Sequence, residues 1–297
     1  MNGDRLKALC LPALVGVLVL VLAGSVQAQV LWSVQGPQGQ QSWLLGTVHS
    51  EDPRLLDFPA ELLTALEAAD RLALELVPDM SMLEQLNRAM HYEQARLHEV
   101  LEPELYGQLV EILEAHYGMG EPAVRYLRPW AAAMTISIPP PRTGLFMDLA
   151  LAIRAGGQGK EVVALERLDE QLDFLAGMPK EMQLELLRQA IQDQPRQGEL
   201  FEELVASYLG GDLDALEAVA TGQMAELDPA LREHFVQVGM IQRNRTMVER
   251  ALPWLEDGGL MIAVGALHLP GEEGLIELLR QRGFLVEGAA ATYAEVD

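Results

Sequence analysis

The chain has 297 residues, and 44 Asp and Glu against 21 Lys and Arg give a formal net charge of −23 at pH 7. Hydrophobic residues make up 49% of the sequence, which is enough for a folded core and argues against a disordered protein. The acidic balance disfavours nucleic acid and anionic membrane surfaces as partners, because both would be repelled. Cys10 is the single cysteine, so a disulfide framework and a cysteine-ligated metal cluster are excluded.

The first 28 residues have the layout of a secretory signal. Arg5 and Lys7 precede an apolar run over 9–23, and Val26 and Ala28 form an A-x-A-like cleavage site. The apolar run is shorter than the ~20 residues that a spanning helix needs. We therefore expect cleavage after Ala28, a periplasmic or secreted protein, and no stable membrane span after cleavage. An uncleaved membrane anchor is the alternative.

The patterns that follow predict an α/β fold with a small central sheet, flanking helices and a large helical insertion, in a single domain over residues 29–297. In chain order they predict strands at 30–34 and 43–45 joined by a turn at 35–40, a helix at 53–69, a strand at 71–77, helices at 81–99, 103–117 and 122–138, a helix ending at 156–157, a strand at 161–165, helices over 168–254 with breaks near Pro179, Pro195, Gly210-Gly211 and Asp228-Pro229, a strand at 260–264, a helix at 271–282 and a strand at 284–287. The strands cluster at the two ends of the chain and once in the middle.

Two of the predicted strands run into the same motif. Gly46-Thr-Val-His49 ends the first, and Gly265-Ala-Leu-His268 ends the second. A histidine just beyond a strand lies where open α/β sheets bind ligands, and a preceding glycine allows a turn or a close approach. Neighbouring parallel strands lie about 4.8 Å apart, so both imidazoles would face one cleft if these strands pair. One such motif occurs often by chance, whereas the repeat favours a shared site.

With these motifs the sequence resembles the TraB/GumN family, which is related to the Tiki metalloproteases and more distantly to erythromycin-esterase-like and ChaN-like proteins. The matching segments, in the family's order, are 43–49, 72–76, 127–132, 160–166, 170–172, Arg243-Asn244 and 264–271. The resemblance covers residues 31 to 288 and implies an EreA/ChaN-like fold. One departure is Phe146, which stands where the family has Gly, two residues before Asp148.

The resemblance implies a divalent-metal-dependent hydrolase that acts on a peptide or another acyl bond, with a peptide or small molecule as substrate. Carried over, His49 and His268 become metal ligands or catalytic bases, and Glu75 becomes the carboxylate ligand. Two imidazoles and one carboxylate suit Zn, Mn, Co or Fe better than Ca. Such an ion would lower the pKa of a bound water towards ~7 and polarise a carbonyl.

The remaining matched residues are assigned around this centre. Arg243 is expected to pair with Glu75 or Glu166, or to hold a substrate carboxylate or oxyanion. Glu166 either reaches the cleft or caps the following helix, where a carboxylate is favourable. The other residues assigned to substrate binding or to support of the site are Asn244, Gly46, Gly265 and Asp148.

Three other functions remain open from the sequence. One is a metal-free hydrolase like the esterase branch, with His49 or His268 as general base. Another is a non-catalytic metal- or haem-binding protein, as the ChaN-like relatives suggest. The last is a peptide-binding module that keeps the scaffold without turnover.

Overall fold

A computed structural model describes residues 30–289 together with 291 and 293. The predicted signal, residues 1–28, lies outside the described residues. Among the described residues, no helix combines the length and the apolar composition needed to cross a bilayer.

A six-stranded mixed sheet forms the centre of the molecule. Its strands are β1 (Leu31–Gln35), β2 (Gln41–Thr47), β3 (Arg71–Leu74), β4 (Glu161–Ala164), β5 (Leu260–Gly265) and β6 (Leu285–Ala289). The strand order is β4-β3-β5-β2-β1-β6. The four strands β4, β3, β5 and β2 are parallel, whereas β1 is antiparallel to both β2 and β6. Four parallel strands therefore end at the same edge of the sheet.

The composition of each strand agrees with its place in the sheet. β5 is buried from Leu260 to Val264, as expected for a central parallel strand that is covered on both faces. β4 lies at an edge of the sheet, and Glu161 and Ala164 are exposed there. The predicted hairpin is confirmed, since β1 and β2 pair antiparallel around the turn at 36–40.

Helices occupy most of the remaining chain. They are α1 (Pro53–Leu56), α2 (Ala60–Ala68), α3 (Met80–Met90), α4 (Leu97–Val100), α5 (Pro103–Tyr117), α6 (Glu121–Val124), α7 (Pro129–Ser137), α8 (Met147–Gly157), α9 (Leu168–Ala176), α10 (Lys180–Asp193), α11 (Gln197–Leu209), α12 (Leu213–Ala225), α13 (Pro229–His234), α14 (Arg243–Asp257) and α15 (Leu275–Gln281). A π-helix, Phe235–Gln242, joins α13 to α14, and 3₁₀ turns lie at Gln194–Arg196 and Ala266–His268. The predicted α/β class, with a small sheet and many helices, is confirmed.

Buried apolar residues form two clusters. The first surrounds the sheet and includes β5 together with Leu151 of α8. The second lies among the helices and includes Trp130 of α7 and Leu187 of α10. The helical part of the chain is therefore packed around apolar residues of its own as well as against the sheet.

Three predicted helices are interrupted in the structure, namely those over 53–69, 81–99 and 122–138. Pro59 and Pro129 stand at two of the interruptions, because proline lacks an N–H and disfavours a helical residue before it. The third interruption follows Met90, where His91 forms an isolated β-bridge with Leu127. The predicted helix over 271–282 is also shorter, since α15 begins at Leu275.

The breaks predicted within 168–254 are confirmed. Pro179 lies between α9 and α10, Pro195 between α10 and α11, Gly210-Gly211 between α11 and α12, and Asp228 before α13. The π-helix before α14 is the feature that the helical pattern did not indicate. Such segments occur frequently at functional sites.

The glycine of the first motif is required by close packing in the sheet. A Cβ built on Gly46 would lie 2.9 Å from the Cα and the Cβ of Ala266, and 3.2 Å from Cδ2 of Leu269. The carbonyl oxygen of Gly46 also accepts a hydrogen bond of 2.7 Å from the buried Tyr208 hydroxyl. The 3₁₀ turn that carries His268 therefore lies directly against β2.

We expect Gly46→Ala to lower the free energy of unfolding by about 1–3 kcal/mol, because the added methyl must displace the Ala266 turn. Urea denaturation of the purified variant measures this as a lower midpoint. Gly107→Ala is the matched control, because a Cβ at Gly107 in α5 meets nothing within 4 Å. That variant should gain roughly 0.5–1 kcal/mol, since alanine favours a helix interior. Equal effects of the two substitutions would contradict the close-packing argument.

Candidate active site

The ends of the four parallel strands carry four of the predicted site residues. His49 follows β2, Glu75 follows β3, Glu166 follows β4 and His268 follows β5, each within three residues of the strand end. Carboxyl ends of parallel strands meet at one edge of a sheet, where ligands commonly bind. Strand order thus brings residues that are far apart in the sequence to the same edge.

Arg243, at the start of α14, binds two of these carboxylates. Its Nη2 donates to Glu75 Oε2 at 2.6 Å and to Glu166 Oε2 at 2.7 Å, and its Nε donates to Glu166 Oε1 at 2.9 Å. The side chain of Glu166 is 2% exposed and that of Glu75 is 18% exposed. Charged hydrogen bonds of this kind offset the cost of burying carboxylates. One cation and two carboxylates leave a net charge of −1 at this edge.

Glu75 lies just beyond its strand and not within it as predicted, since β3 ends at Leu74. Its Oε1 accepts a hydrogen bond of 2.7 Å from the backbone N–H of Gly265. Burial opposes ionisation of Glu75, but His268 when protonated, the charge of Arg243 and the Gly265 N–H outweigh it and lower the pKa of Glu75. A Cβ at Gly265 would lie 3.2 Å from Glu75 Oε1, so the glycine also makes room for this carboxylate.

His268 is buried, and its tautomer follows from its neighbours. Asn244 Nδ2 donates to the carbonyl oxygen of Glu273 at 2.7 Å, so Asn244 presents its Oδ1 to His268 Nδ1 at 2.5 Å. An amide oxygen only accepts, so His268 Nδ1 carries the proton and Nε2 keeps its lone pair. His268 Nε2 lies 3.7 Å from Glu75 Oε1. Burial lowers the pKa of His268, so the ring is neutral at pH 7.

His49 has a different environment although its motif is the same. Its side chain is 73% exposed, and its Nδ1 lies 3.2 Å from Asp148 Oδ2. Thr47 donates to Asp148 Oδ1 at 2.8 Å, and the His49 ring stacks on Phe146 at 5.8 Å between centroids. The Asp148 carboxylate raises the pKa of His49 by more than burial lowers it. Phe146, the departure from the family pattern, thus packs against the exposed histidine.

Two neighbouring cavities lie near this edge of the sheet. A cavity of about 300 Å³ is lined by His49, and a larger one of about 660 Å³ is lined by Arg243 and Asn244. The two share five lining residues, which are Ser137, Ala190, Asp193, Leu204 and Gln223. The two cavities are therefore adjacent, one beside the exposed histidine and the other beside the arginine.

The predicted metal ligands come together only in part. Within the described part of the chain, no three His, Cys, Asp or Glu side chains are grouped so that they could hold a metal ion. Two donors are suitably placed, because the 3.7 Å between His268 Nε2 and Glu75 Oε1 is close to the roughly 3.4 Å between ligands of a tetrahedral ion with ~2.1 Å bonds. His49 is not grouped with them. Its Nδ1 contacts Asp148 and its ring lines the smaller cavity.

Two features of the site were not predicted from the sequence. Gln171 donates to Glu166 Oε2 at 2.9 Å and to Glu75 Oε2 at 3.3 Å, so it also supports the two carboxylates. The sequence feature that could have identified Gln171 is its position in segment 170–172, which matches the family. The π-helix ends immediately before Arg243, and Arg243 Nη1 reaches back to the Gly239 carbonyl oxygen at 3.4 Å. Gly46, in contrast, supports the turn before His268 and does not contact the carboxylates.

Comparison with known proteins agrees with the predicted resemblance. The chain belongs to the TraB/PrgY/gumN family, whose sequence profile matches residues 30–288. An uncharacterized protein of Treponema pallidum (strain Nichols) is 26% identical, over 88% of this chain and 83% of its own. Metalloprotease TIKI1 of Danio rerio is 26% identical over 88% of this chain, which spans 63% of that protein. The uncharacterized protein YbaP of Shigella flexneri is 26% identical, over 82% of this chain and 89% of its own.

We expect Arg243→Met to destabilise the protein by about 3–5 kcal/mol at pH 7, because it leaves buried carboxylates without their cation. Arg245→Met is the matched control, since the pair of Arg245 with Glu273 is exposed and its loss should change the urea midpoint little.

The loss in Arg243→Met should shrink on acidification. In the native protein the lowered pKa of Glu75 stabilises the fold above about pH 4.3, and this contribution is lost as the pH falls. Without Arg243 the pKa of Glu75 rises, so the difference in stability between wild type and variant shrinks as the pH is lowered from 7 towards 4. Urea titrations at both pH values measure the difference. A pH-independent loss would contradict the role given to this cation.

Proposed function

We propose that this member of the TraB/PrgY/gumN family is a hydrolase that acts on a peptide or another acyl bond at the edge of the sheet where His268, Glu75 and Arg243 meet. The observation that carries the proposal is the free lone pair of His268 Nε2, which faces Glu75. Asn244 and Arg243, which hold these two side chains, line a cavity of about 660 Å³. A relative named a metalloprotease supports the same reaction class.

Each side chain has a role that its contacts support. His268 is held in one tautomer by Asn244, so its Nε2 is ready to bind an ion or to accept a proton from water. Arg243 neutralises Glu75 and retains Nη1, which has only a long contact to a carbonyl oxygen, for a developing oxyanion. His49, oriented by Asp148, lies in the open cavity and is placed to transfer a proton to or from the substrate.

A divalent ion fits two of the donors. His268 Nε2 and Glu75 Oε1 would hold it, and His49, which is not grouped with them in this structure, would have to move to supply a third ligand. The net charge of −1 around these residues favours a cation, and the donor set suits Mn, Co, Zn or Fe. A bound ion would lower the pKa of water and polarise the carbonyl that is attacked.

A metal-free hydrolase is the second candidate, and a specific contact favours it. Glu75 Oε2 is already bound by Arg243 at 2.6 Å, which competes with metal binding to this carboxylate. In this case His268 alone is the general base, and Arg243 stabilises the oxyanion. Chelation separates the two candidates.

The proposal extends to the whole mature chain. We propose a single domain over residues 29–297, related to the EreA/ChaN-like proteins, that is exported by the predicted signal to the periplasm or the exterior. The signal layout of residues 1–28 supports export.

The activity is tested with purified protein and a peptide library, after chelation and again with Mn, Co or Zn. We expect hydrolysis that falls by about 10²–10⁴-fold in His268→Ala, because this variant removes the base or metal ligand. His116→Ala, an exposed histidine of α5, is the matched control and should retain full activity. Bound metal, measured by elemental analysis after dialysis, should fall in His268→Ala and in Glu75→Gln.

Chelator-resistant turnover that is still lost in His268→Ala would select the metal-free reaction. A wild-type protein that cleaves nothing with any metal, or a His268→Ala variant that is as active as the wild type, would overturn the hydrolase proposal.

A further inference from the structure

The larger cavity is a groove between three helical segments. α12 contributes Glu217, Ala220, Thr221 and Met224, which follow the i, i+3, i+4, i+7 spacing of one helix face. The other two sides come from α10, through Leu186, Gln189, Ala190 and Asp193, and from the π-helix, through Phe235, Val236, Gly239 and Met240. The α12 face is about 10 Å long, which matches about three residues of an extended chain.

The groove is continuous with the candidate active site. Arg243 and Asn244 line it, and it shares residues such as Ser137 and Gln223 with the cavity of His49. A chain lying in the groove therefore runs past the arginine and towards the exposed histidine. Arg243 in turn binds Glu75 and Asn244 binds His268, so a chain in the groove contacts the side chains that hold both candidate groups.

The polar groups of the groove fit a peptide better than an acyl chain. Thr221 and Gln223 line the groove and have no side-chain hydrogen bond to any other described residue. A peptide backbone supplies hydrogen-bonding partners for them, whereas a hydrocarbon chain would bury them unpaired at a cost.

The charges of the groove favour a cation. Its acidic lining residues are Asp193, Glu217, Glu272 and Glu273, and its basic lining residue is Arg243. Asp193 and Glu273 form ion pairs with arginines, at 3.0 Å and 2.8 Å. Glu217 and Glu272 have no ion pair within the described part of the chain. Arg243 is already neutralised by two carboxylates, so the groove presents excess negative charge to its ligand.

We infer that this groove binds an extended peptide whose apolar residues lie along α12 and whose basic residue lies against Glu217 and Glu272. The inference rests on the proposed function, because it gives the substrate class of the same hydrolytic site. It predicts that acidic peptides bind weakly, because the acidic lining repels them.

The test uses fluorescent apolar peptides that are identical except for Lys, Gln or Glu at one position near an end, with anisotropy as the readout. We expect the wild type to bind the Lys peptide about three- to tenfold more tightly than the Gln peptide, and the Glu peptide more weakly than both. In Glu217→Gln the ratio of Lys to Gln affinity should fall several-fold. Glu203→Gln is the matched control, because Glu203 is exposed on α11 and does not line the groove.

A second pair of variants tests the place of binding. Thr221→Trp fills the groove and should abolish peptide binding. Ala218→Trp, exposed on α12 outside the lining, should leave it unchanged. Thermal melting confirms that both variants fold.

Binding and cleavage of the same peptides are measured separately, which separates this inference from the proposed function. Peptides that bind with the expected preference but are not cleaved would support the groove and overturn peptide hydrolysis at this site. Three results would overturn the groove assignment. The first is the same ratio of Lys-peptide to Gln-peptide affinity in Glu217→Gln and Glu203→Gln, and the second is unchanged peptide binding in Thr221→Trp. The third is binding of a fluorescent dodecanoyl probe in place of the peptides.

Discussion

The ion cluster of Arg243 with two buried glutamates is the interaction on which the rest of the site depends. Glu75 and Glu166 lie at the ends of neighbouring strands, and two adjacent carboxylates with so little exposure could not both stay ionised without a fixed cation. Their arginine comes from α14, so the same contact that permits the charges also ties this helix to the sheet. Because Asn244 follows Arg243 directly, the contact also places the amide that orients His268.

The two Gly-x-x-His motifs are equivalent in sequence and distinct in structure. Paired parallel strands present both motifs at one edge, yet His268 is buried and neutral whereas His49 is exposed and held by Asp148. Even the glycines act differently. Gly46 leaves space for the turn of the other motif, and Gly265 supplies its N–H and its missing side chain to Glu75. An asymmetric pair of imidazoles suits a reaction in which one binds and one exchanges protons with the substrate.

The helical segments add what the sheet edge lacks, which is a surface for a ligand. The sheet provides few exposed groups at the site, because three of its four charged or imidazole side chains are largely buried. The groove beside α12 is largely apolar, open and rich in acidic groups, and it meets the sheet edge at Arg243. In the function that we propose, the sheet supplies the reacting groups and the helical region selects what reaches them.

The sequence by itself determined the α/β class, the strands, most helix breaks within 168–254 and the identity of the residues that could react, because these follow from local periodicity, proline and glycine positions and ordered motifs. It did not determine that β5 lies between β2 and β3. This strand order places the strand ends that precede His49, Glu75 and His268 next to one another. Nor did the sequence determine the shorter β3, the π-helix before Arg243, the hydrogen bonds of Gln171 to the two carboxylates, or the difference in burial between the two histidines. These depend on which distant segments pack together, since a residue's partners and solvent exposure are set by the assembled fold and leave no periodic signal along the chain.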